Sequence, residues 1–586
     1  MNQFLQNKSQ KQQFEPGYTE SEAVRQQWEP EGGLVRGGHE QDAIMTATRD
    51  SIEPPNGAKL EGLQISDTNE GGSAPGPIPI RSATDAPYCI LPELEKVLIM
   101  LLVSFASIIS PVSSSIYFPI LNRLATQENV SLSLINLTIT TYLIFQGIAP
   151  SFVGNFSDVY GRRPAYLVCF VIYLGANIGL ALQNNYVALM VLRCMQSSGS
   201  SGTIALGSAV VADISTRAER GKYIGYATMG VTLGPALGPV IGGLLDYYYG
   251  WRAIFWFLAI FSGVFGIIIT IALPETCRAV VGNGSVPAAK WNRSLWELTV
   301  RRFWKKTERT EPDNETIQQG GRRPNPFASL KIVTEREGGL VLMYGSLLYA
   351  GYMMVLSTLS TELENRFGFN TIQVGLCYLP LGMGSLTSRW TVGYLLDRNF
   401  KREAKRQGLP IVKNRQQDIA NFNVEVARLL VSLPMIYASC LCIIIYGWVM
   451  EYKTALAGPM VMLFFTGHLT TGAFNSLNTL VVDIHYQSPA TAVAANNLFR
   501  CSVGAGAVAI ATPLIRHIGI GWTASFIAFL WILFTPFLWV VVRWGHGWRK
   551  KAQAKLQEKE AQSNRSRDLE GGPPDNKKGR NTGQGK

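Results

Sequence analysis

The residues of this chain that could bind a charged group or a proton are the charged side chains inside or beside its apolar segments. Arg193 lies in the run LRCMQSSGSSG and Arg500 in NNLFRCSVGAG, and both runs belong to apolar stretches. An arginine in such a place is costly and normally faces a cavity or a partner. Proton binding would also need a carboxyl group within an apolar stretch, yet Asp213 and Asp483 lie only at the ends of two such stretches. The residue for proton coupling is therefore open: these four residues are the candidates, and a mechanism without proton coupling or an unusual site are the alternatives.

The connection GNFSDVYGRRP, between the second and third apolar stretches, has residue types suited to a gate. Glycines allow a tight turn between two helices, and an acid beside basic residues can form a charge-assisted latch between helix ends. A preference for positive charge on the cytosolic side would explain the arginines, but not the acid and the glycines. The predicted gate residues are Gly154, Asp158, Gly161, Arg162, Arg163 and, in the second half of the chain, Asp397.

Glycines recur every four residues in GVTLGPALGPVIGG, the run that begins at Gly230. Small residues at this spacing form a stripe along a helix and let two helix backbones approach closely inside lipid. Two prolines in the run each remove a backbone donor and should bend the helix. The residues of this motif are Gly230, Gly234, Pro235, Gly238 and Pro239, and Gly242 continues the stripe.

Long apolar runs are the elements that must position these residues. A run of about 20 apolar residues is long enough to cross a bilayer as a helix, and such runs fill the chain from about Lys96 to Arg543. The predicted spans are 97–121, 133–153, 165–183, 186–212, 223–245, 252–273, 339–361, 371–395, 425–449, 455–482, 490–514 and 522–543.

The positive charge of the chain indicates its orientation in a membrane. A net charge of +12 could suggest nucleic acid as the partner of a soluble protein, but in a polytopic membrane protein it reflects basic cytosolic loops. Arginine and lysine are concentrated in alternate connections, which places both termini in the cytosol. We therefore expect no nucleic-acid partner.

Composition divides the chain into five parts. The predicted parts are a disordered cytosolic tail (1–94), a first six-helix half (95–273), a central cytosolic loop (274–338), a second six-helix half (339–543) and a basic cytosolic tail (544–586). Within the loop, the aromatic and basic run from Trp291 to Lys306 is compatible with a helix on the membrane surface or with a solvated linker.

The two halves of the chain also repeat each other weakly. Gly154 and Asp158 have counterparts in Gly393 and Asp397, and Asp213 has a counterpart in Asp483. Such repetition is typical of a duplicated transporter.

These motifs resemble those of the major facilitator superfamily. The first connection is similar to the family pattern GxLaDrxGrkp, the glycine run to the antiporter pattern gxxxGPxxGP, and Arg193 with Gln196 and Gly199 to RxxqGxg. Leu273-Pro274-Glu275-Thr276 resembles the twelve-span drug:proton antiporter branch, and the stretch after Phe474 looks most like fungal quinidine-resistance exporters. The resemblance implies an all-α membrane protein of the major facilitator fold, with twelve transmembrane helices in two pseudo-symmetric halves.

The resemblance also implies roles for particular residues. Asp158 would pair across the cytosolic face in the outward-open state, and Arg193 would take part in proton coupling. Spans one, four, seven and ten would line the central cavity, where aromatic and amide side chains suit amphiphilic compounds. The candidates for the substrate cavity are Ser113, Ser114, Tyr117, Tyr349, Tyr352, Phe474, Asn475, Asn478, Asn496 and Asn497.

The function that follows is export of drugs or toxic small molecules by proton-coupled antiport. A dedicated exporter of one secondary metabolite, organic acid or polyamine is the alternative within transport, and a transporter-like receptor is a further one. The five histidines are scattered, so we do not expect an enzyme. We expect a small-molecule substrate, protons and the lipid bilayer as partners, and a monomer. No cofactor and no metal are predicted. The expected location is the plasma membrane, or alternatively the vacuolar membrane, with glycosylation at Asn129 in an outer loop.

Overall fold

The computed structural model describes the backbone of residues 88–215, 220–284, 286–295, 332–408, 422–485 and 489–570. The predicted amino-terminal tail up to residue 87, most of the Trp291–Lys306 run and residues 571–586 lie outside the described residues. Regular structure within these ranges is helical.

The helices fall into two sets, one on each side of residues 296–331. The amino-terminal set comprises α1 (Glu93–Ser115), α2 (Leu121–Gln127), α3 (Leu132–Tyr160), α4 (Arg162–Leu182), α5 (Tyr186–Ile214), α6 (Arg220–Tyr249), α7 (Arg252–Ala272) and α8 (Arg278–Val281), with 3-10 turns at Phe118–Ile120 and Lys290–Asn292. The carboxy-terminal set comprises α9 (Arg336–Phe367), α10 (Thr371–Cys377), α11 (Leu379–Arg406), α12 (Val424–Glu451), α13 (Ala457–Ile484) and α14 (Pro489–Glu570).

The predicted spans overlap these helices. By length and composition, seven helical stretches of the described residues are long and apolar enough to cross a membrane. Each of the twelve predicted spans overlaps a described helix or a segment of one, while the number of crossings stays a prediction. Beyond the predicted end of the last span at 543, α14 continues as a helix to Glu570.

The last two predicted spans are two segments of α14 that meet at Gly519. The backbone of Gly519 has a φ of +80°, which interrupts the helix at this one residue. The Glu451 carboxylate accepts hydrogen bonds from the backbone N–H groups of Ile520 (3.0 Å) and Gly521 (3.3 Å). A carboxylate is favourable there because the first N–H groups of a helix carry partial positive charge. A carboxylate cap therefore holds the corner between the two segments.

The two ends of the bundle are named here after two turns. The Gly161 end carries the turn from α3 to α4, and the Gly250 end carries the turn from α6 to α7; both glycines have a positive φ. Asn129 lies exposed in the turn from α2 to α3, with a φ of +52°. Asparagine tolerates this left-handed conformation, and glycosylation at this position stays a prediction.

The glycine stripe of α6 lies against α1. A Cβ atom would lie 2.3 Å from the Ser104 carbonyl oxygen at Gly230, and 2.2 Å from the Ile116 carbonyl oxygen at Gly242. Because such distances are below van der Waals contact, only glycine permits this approach along the interface. Helix α6 also contacts α10 of the carboxy-terminal set: a Cβ atom on Gly375 of α10 would lie 2.6 Å from the Pro239 carbonyl oxygen of α6. Helix α6 is therefore in close contact with its own set and with the other set.

We predict that Gly234→Leu strongly destabilises the folded protein. A Cβ atom at Gly234 would lie 2.6 Å from Pro111 Cβ, and forcing extra volume into a packed interface costs about 3 kcal/mol. Thermal unfolding of the purified protein in detergent measures this loss. The matched control is Gly175→Leu, because a Cβ atom at Gly175 would meet nothing within 4 Å. Equal melting temperatures for the two variants would contradict the packing argument.

Candidate functional site

A buried carboxylate organises the turn from α3 to α4. Glu275, which is 7 % exposed, accepts hydrogen bonds from the backbone N–H groups of Arg162 (2.8 Å) and Arg163 (3.2 Å) at the start of α4. Asn292 also donates to it, at 2.8 Å. Gly161 has a φ of +110°, and a Cβ atom there would lie 2.3 Å from Glu275 Oε2. Glycine is therefore required at this turn, both by its conformation and by the carboxylate beside it.

Glu275 is a residue whose role our sequence reasoning missed. It contributed there only to the Leu273–Thr276 signature of the antiporter branch. Its function in the structure is to neutralise the amino-terminal end of α4, which carries partial positive charge. An isolated acid directly after an apolar span was the signal that could have revealed this role.

Arg162 joins the ends of three helices within the amino-terminal set. Its Nε donates to Asp213 Oδ2 at the end of α5 (2.8 Å), and its Nη1 donates to Ser157 Oγ (2.7 Å) and to the Asp158 carboxylate at the end of α3. Arg163 instead donates to the Thr270 carbonyl oxygen of α7, at 2.8 Å. The ion pair recorded for Asp158 is with Arg162, and its side chain is 48 % exposed. In this conformation the predicted gate acid thus pairs within its own set.

The carboxy-terminal set repeats this ion pair with other residues. Arg428 Nε at the start of α12 donates to Asp483 Oδ2 at the end of α13, at 2.9 Å, as Arg162 does to Asp213. Asp397, the predicted counterpart of Asp158, is exposed on α11. Sequence reasoning missed Arg428 because no motif surrounds it, whereas the Asp213 and Asp483 counterparts were predicted.

Arg193 is fully buried among tyrosines in the middle of the amino-terminal set. Its guanidinium carbon lies 4.0 Å from the ring centroid of Tyr117 and 4.5 Å from that of Tyr142, which are cation–π contacts. Its Nη1 donates to Gln196 Oε1 at 2.6 Å, and Gln196 donates to Asn177. Its Nε and Nη2 have no hydrogen-bond partner among the described residues. This cation is therefore only partly compensated.

Arg500 forms a second cationic cluster, at the contact between the two sets. Its Nη2 donates to Asn497 Oδ1 at 2.8 Å, and its guanidinium lies 5.0 Å from the Tyr349 ring and 5.6 Å from the Phe474 ring. Asn497 Nδ2 donates to the carbonyl oxygen of Gln146 on α3, at 2.9 Å. The cluster thus links α9, α13 and α14 to the amino-terminal set.

Helix α3 places the two arginine clusters side by side. Gln146, whose carbonyl oxygen accepts from Asn497, lies one helical turn after Tyr142, which contacts Arg193. We call the residues Arg193, Tyr142, Gln146, Asn497 and Arg500 the arginine site. No Asp or Glu lies deeper in a predicted span than its first residue, so the arginine site has a positive charge.

Of the other predicted cavity residues, some contact the two arginines and others lie apart from them. Asn496 Nδ2 donates to Asn478 Oδ1 at 2.8 Å, which pairs α14 with α13. Tyr352 and Asn475 are half-buried on α9 and α13, whereas Tyr117 and Ser113 are fully buried. Ser114 is half-buried and donates to the Pro111 carbonyl oxygen of its own helix. The structure therefore brings Tyr117, Tyr349, Phe474 and Asn497 to the two arginines, and whether these residues bind substrate stays a prediction.

The two sets are joined towards the Gly250 end. Hydrogen bonds join Asn122 to Glu364 and Thr361, Ser360 to the Pro119 carbonyl oxygen, and Asn136 to Thr512, and Phe118 stacks on Tyr378. The contact from Asn497 to Gln146 lies nearer the middle. Towards the Gly161 end, a Cβ atom on Gly154 would meet nothing within 4 Å. Among the described residues, the polar contacts that join the two sets therefore lie at the Gly250 end and near the middle of the bundle.

A histidine links two helices at the Gly161 end of the carboxy-terminal set. His485 Nε2 lies 2.8 Å from Glu335 Oε2, just before α9, and Nδ1 lies 3.0 Å from the Val481 carbonyl oxygen. Burial lowers the pKa of His485, but the hydrogen bonds to Glu335 and Val481 and the Glu335 charge outweigh it, so the pKa is raised. The protonated imidazole can donate to both acceptors at once.

We predict that this contact makes stability depend on pH. Because the folded pKa of His485 is raised, the contact stabilises fully below the unfolded value of about 6.5 and is lost as pH rises through the folded value. Glu335 is half-exposed, so the effect is below about 1 kcal/mol, or about 1 °C. Melting curves at pH values on both sides of this range should show a smaller pH dependence for Glu335→Gln than for the wild type. Equal pH dependence would contradict the role of this contact.

Comparisons with known proteins place the chain in a family. A family model described as Major Facilitator Superfamily matches residues 103–509. MFS-type transporter R5 from Phoma sp. is 48 % identical over 79 % of this chain and 88 % of that protein. Citrate exporter 1 from Aspergillus niger is 35 % identical over 84 % of this chain and 95 % of that protein.

A solved structure shares the fold. It is a bacterial homologue of the human lysosomal transporter Spinster, in an inward-facing and unoccupied conformation. It matches with a TM-score of 0.51 at 13 % identity, over 78 % of this chain and 98 % of that chain. The chain thus belongs to the Major Facilitator Superfamily and is a multi-pass membrane transporter with the all-helical fold of that family.

Proposed function

We propose that this transporter is an exporter that works by alternating access and exchanges its substrate for protons. The two sets are joined at the Gly250 end, while Asp158 at the Gly161 end pairs only with its own set in the contacts described. The basic connections predict that the Gly161 end faces the cytosol. In that orientation, with twelve spans and both termini cytosolic, this conformation is open to the cytosol and ready to load a substrate for export.

The charge of the arginine site is the observation that supports one substrate class over the other. Two buried nitrogen atoms of Arg193, Nε and Nη2, have no hydrogen-bond partner among the described residues. Arg500 belongs to the same arginine site, and the contacts described for it are with amide, aromatic and thiol groups and with no carboxylate. Carboxylates are the acceptors that arginine binds best. The site therefore supports the organic-acid exporter, which was our alternative, over an exporter of cationic drugs. The similarity to a protein named as a citrate exporter agrees with this choice.

Export of drugs remains the second candidate because of the aromatic side chains. Tyr349 and Phe474 have ring centroids 6.1 Å apart beside Arg500, and Tyr352 lies one turn further along α9. Aromatic surfaces of this kind bind amphiphilic compounds without many directed hydrogen bonds. In this version the positive arginine site would favour anionic or neutral amphiphiles, and export would be driven by protons, as the resemblance to drug:proton antiporters implies.

Location and assembly complete the proposal. Export from the cell requires the plasma membrane, and storage in the vacuole would require the vacuolar membrane. Each chain contains both sets and the whole arginine site, so a monomer suffices for transport.

The test is efflux from cells that express the chain. We predict that labelled citrate leaves such cells faster than control cells, that a protonophore abolishes the difference, and that Arg500→Gln lowers the rate about tenfold, since a charge-assisted hydrogen bond contributes about 1.5 kcal/mol or more. Arg516→Gln is the matched control, because Arg516 is an exposed arginine of the same helix. A fluorescent amphiphilic dye is measured in parallel. Dye efflux without citrate efflux would favour the drug exporter, and efflux of neither compound would contradict both versions.

A further inference from the structure

Two buried carboxyl groups meet at the Gly161 end of the carboxy-terminal set. Glu337 is the second residue of α9 and Glu425 the second residue of α12, and they are 6 % and 0 % exposed. Both lie against Gly545 of α14, where a Cβ atom would be 3.2 Å from Glu337 Oε1 and 3.1 Å from Glu425 Cγ. The two side chains therefore lie next to each other. Neither residue was among the sequence-based candidates.

Among the described residues, the guanidinium that serves this pair is that of Arg549, and it is directed at Glu425. Arg549 donates from Nε to Glu425 Oε1 (2.9 Å) and from Nη2 to Glu425 Oε2 (3.2 Å). Its Nη2 also lies 2.6 Å from the Phe422 carbonyl oxygen and 3.0 Å from His546 Nδ1. Glu337 Oε1, in contrast, has no hydrogen-bond partner among the described residues. One carboxyl group is thus neutralised by the arginine, and the other is not.

The surrounding charges of the described residues do not compensate Glu337. In this part of the chain, the charged and titratable groups around the pair are Glu335 before α9, Arg428 on α12, Asp483 and His485 at the end of α13, and His546 and Lys550 on α14. Arg428 is paired with Asp483, and His485 with Glu335. Because Arg549 donates to His546 Nδ1, that nitrogen must be unprotonated. The side chain of Lys550 is exposed on the surface of α14.

We infer that Glu337 and Glu425 hold one proton between them, and that this pair is a proton-binding site of the transporter. Two carboxylates in contact away from water repel each other, and binding one proton relieves the repulsion. The proton bonds to Glu337, which then donates its O–H to the Glu425 carboxylate, while Arg549 stays paired with Glu425. Loss of the proton returns a carboxylate at Glu337, whose charge only water entering between α9, α12 and α14 could stabilise.

This pair provides a titratable acid that the middle of the spans lacks. Asp213 and Asp483 differ from Glu337 because each accepts a hydrogen bond from its own arginine, at 2.8 and 2.9 Å. Burial raises the pKa of both carboxyl groups, that of Asp213 to about 6, and the paired arginine only partly opposes this shift. A coupling role for the Glu337–Glu425 pair rests on the proposed function, in which protons drive export. The binding of a proton by the pair is independent of that proposed function.

Infrared spectroscopy of the purified full-length protein tests the proton directly. We predict that the wild type shows the carbonyl stretching band of a buried protonated carboxylic acid at neutral pH, and that Glu337→Gln lacks this band. Glu335→Gln, which removes an exposed carboxyl group two residues away, should keep it. Glu337→Asp retains a carboxyl group and should shift the band rather than remove it. Absence of the band in the wild type, or its persistence in Glu337→Gln, would overturn the inference.

Transport in proteoliposomes tests the coupling separately. Glu337→Gln should still exchange labelled citrate for unlabelled citrate without a gradient, but should lose the stimulation that a pH gradient gives to the wild type. Stimulation that persists in this variant would refute the coupling role. If the wild type transports no citrate in either assay, the proposed substrate is wrong, and the infrared result still decides whether the pair holds a proton.

Discussion

Ion pairs between helix ends hold each set of helices together, and the working of the molecule depends on this arrangement. A charge that is removed from water must find an opposite charge within the protein, and loss of one partner of a buried pair costs about 3–5 kcal/mol. Among the described residues, the pairs between helices of one set are Arg123–Asp246, Arg162–Asp213, Arg428–Asp483, Arg549–Glu425 and Arg366–Glu451. Between the sets, the described hydrogen bonds include no ion pair. Each set is therefore rigid, whereas contacts that join the sets can be exchanged at low cost, as alternating access requires.

Local patterns in the sequence predicted the local features of the fold well. The four-residue spacing of glycines predicted one face of α6, because spacing along a helix translates directly into a face. It could not show that α1 and α10 are the partners, since those contacts join distant parts of the chain. Likewise, the acid and arginines around Gly161 predicted a charged turn, but the buried carboxylate that completes it, Glu275, comes from beyond α7.

The repeat between the two halves was recognisable only in part. Asp213 and Asp483 occupy matching positions, and each accepts a hydrogen bond from an arginine at the start of a neighbouring helix. The arginine of the second half lies outside any motif, so it was not predicted. Glu337 and Glu425 were missed for a related reason. Each looks like an ordinary acid in the first turn of a helix, where it is favourable, and only tertiary packing brings the two together with Arg549.

The corner at Gly519 has a mechanical consequence. Only one non-helical residue separates the two segments of α14, so no loop provides slack between them, and the Glu451 cap stiffens the joint. The first segment carries Asn497 and Arg500 at the contact with α3, and the second carries Arg549, which pairs with Glu425 of α12. A displacement of the first segment must therefore pull directly on the second. Helix α14 thus connects the arginine site, at its first segment, to the carboxyl pair, at its second segment, through one stiff corner.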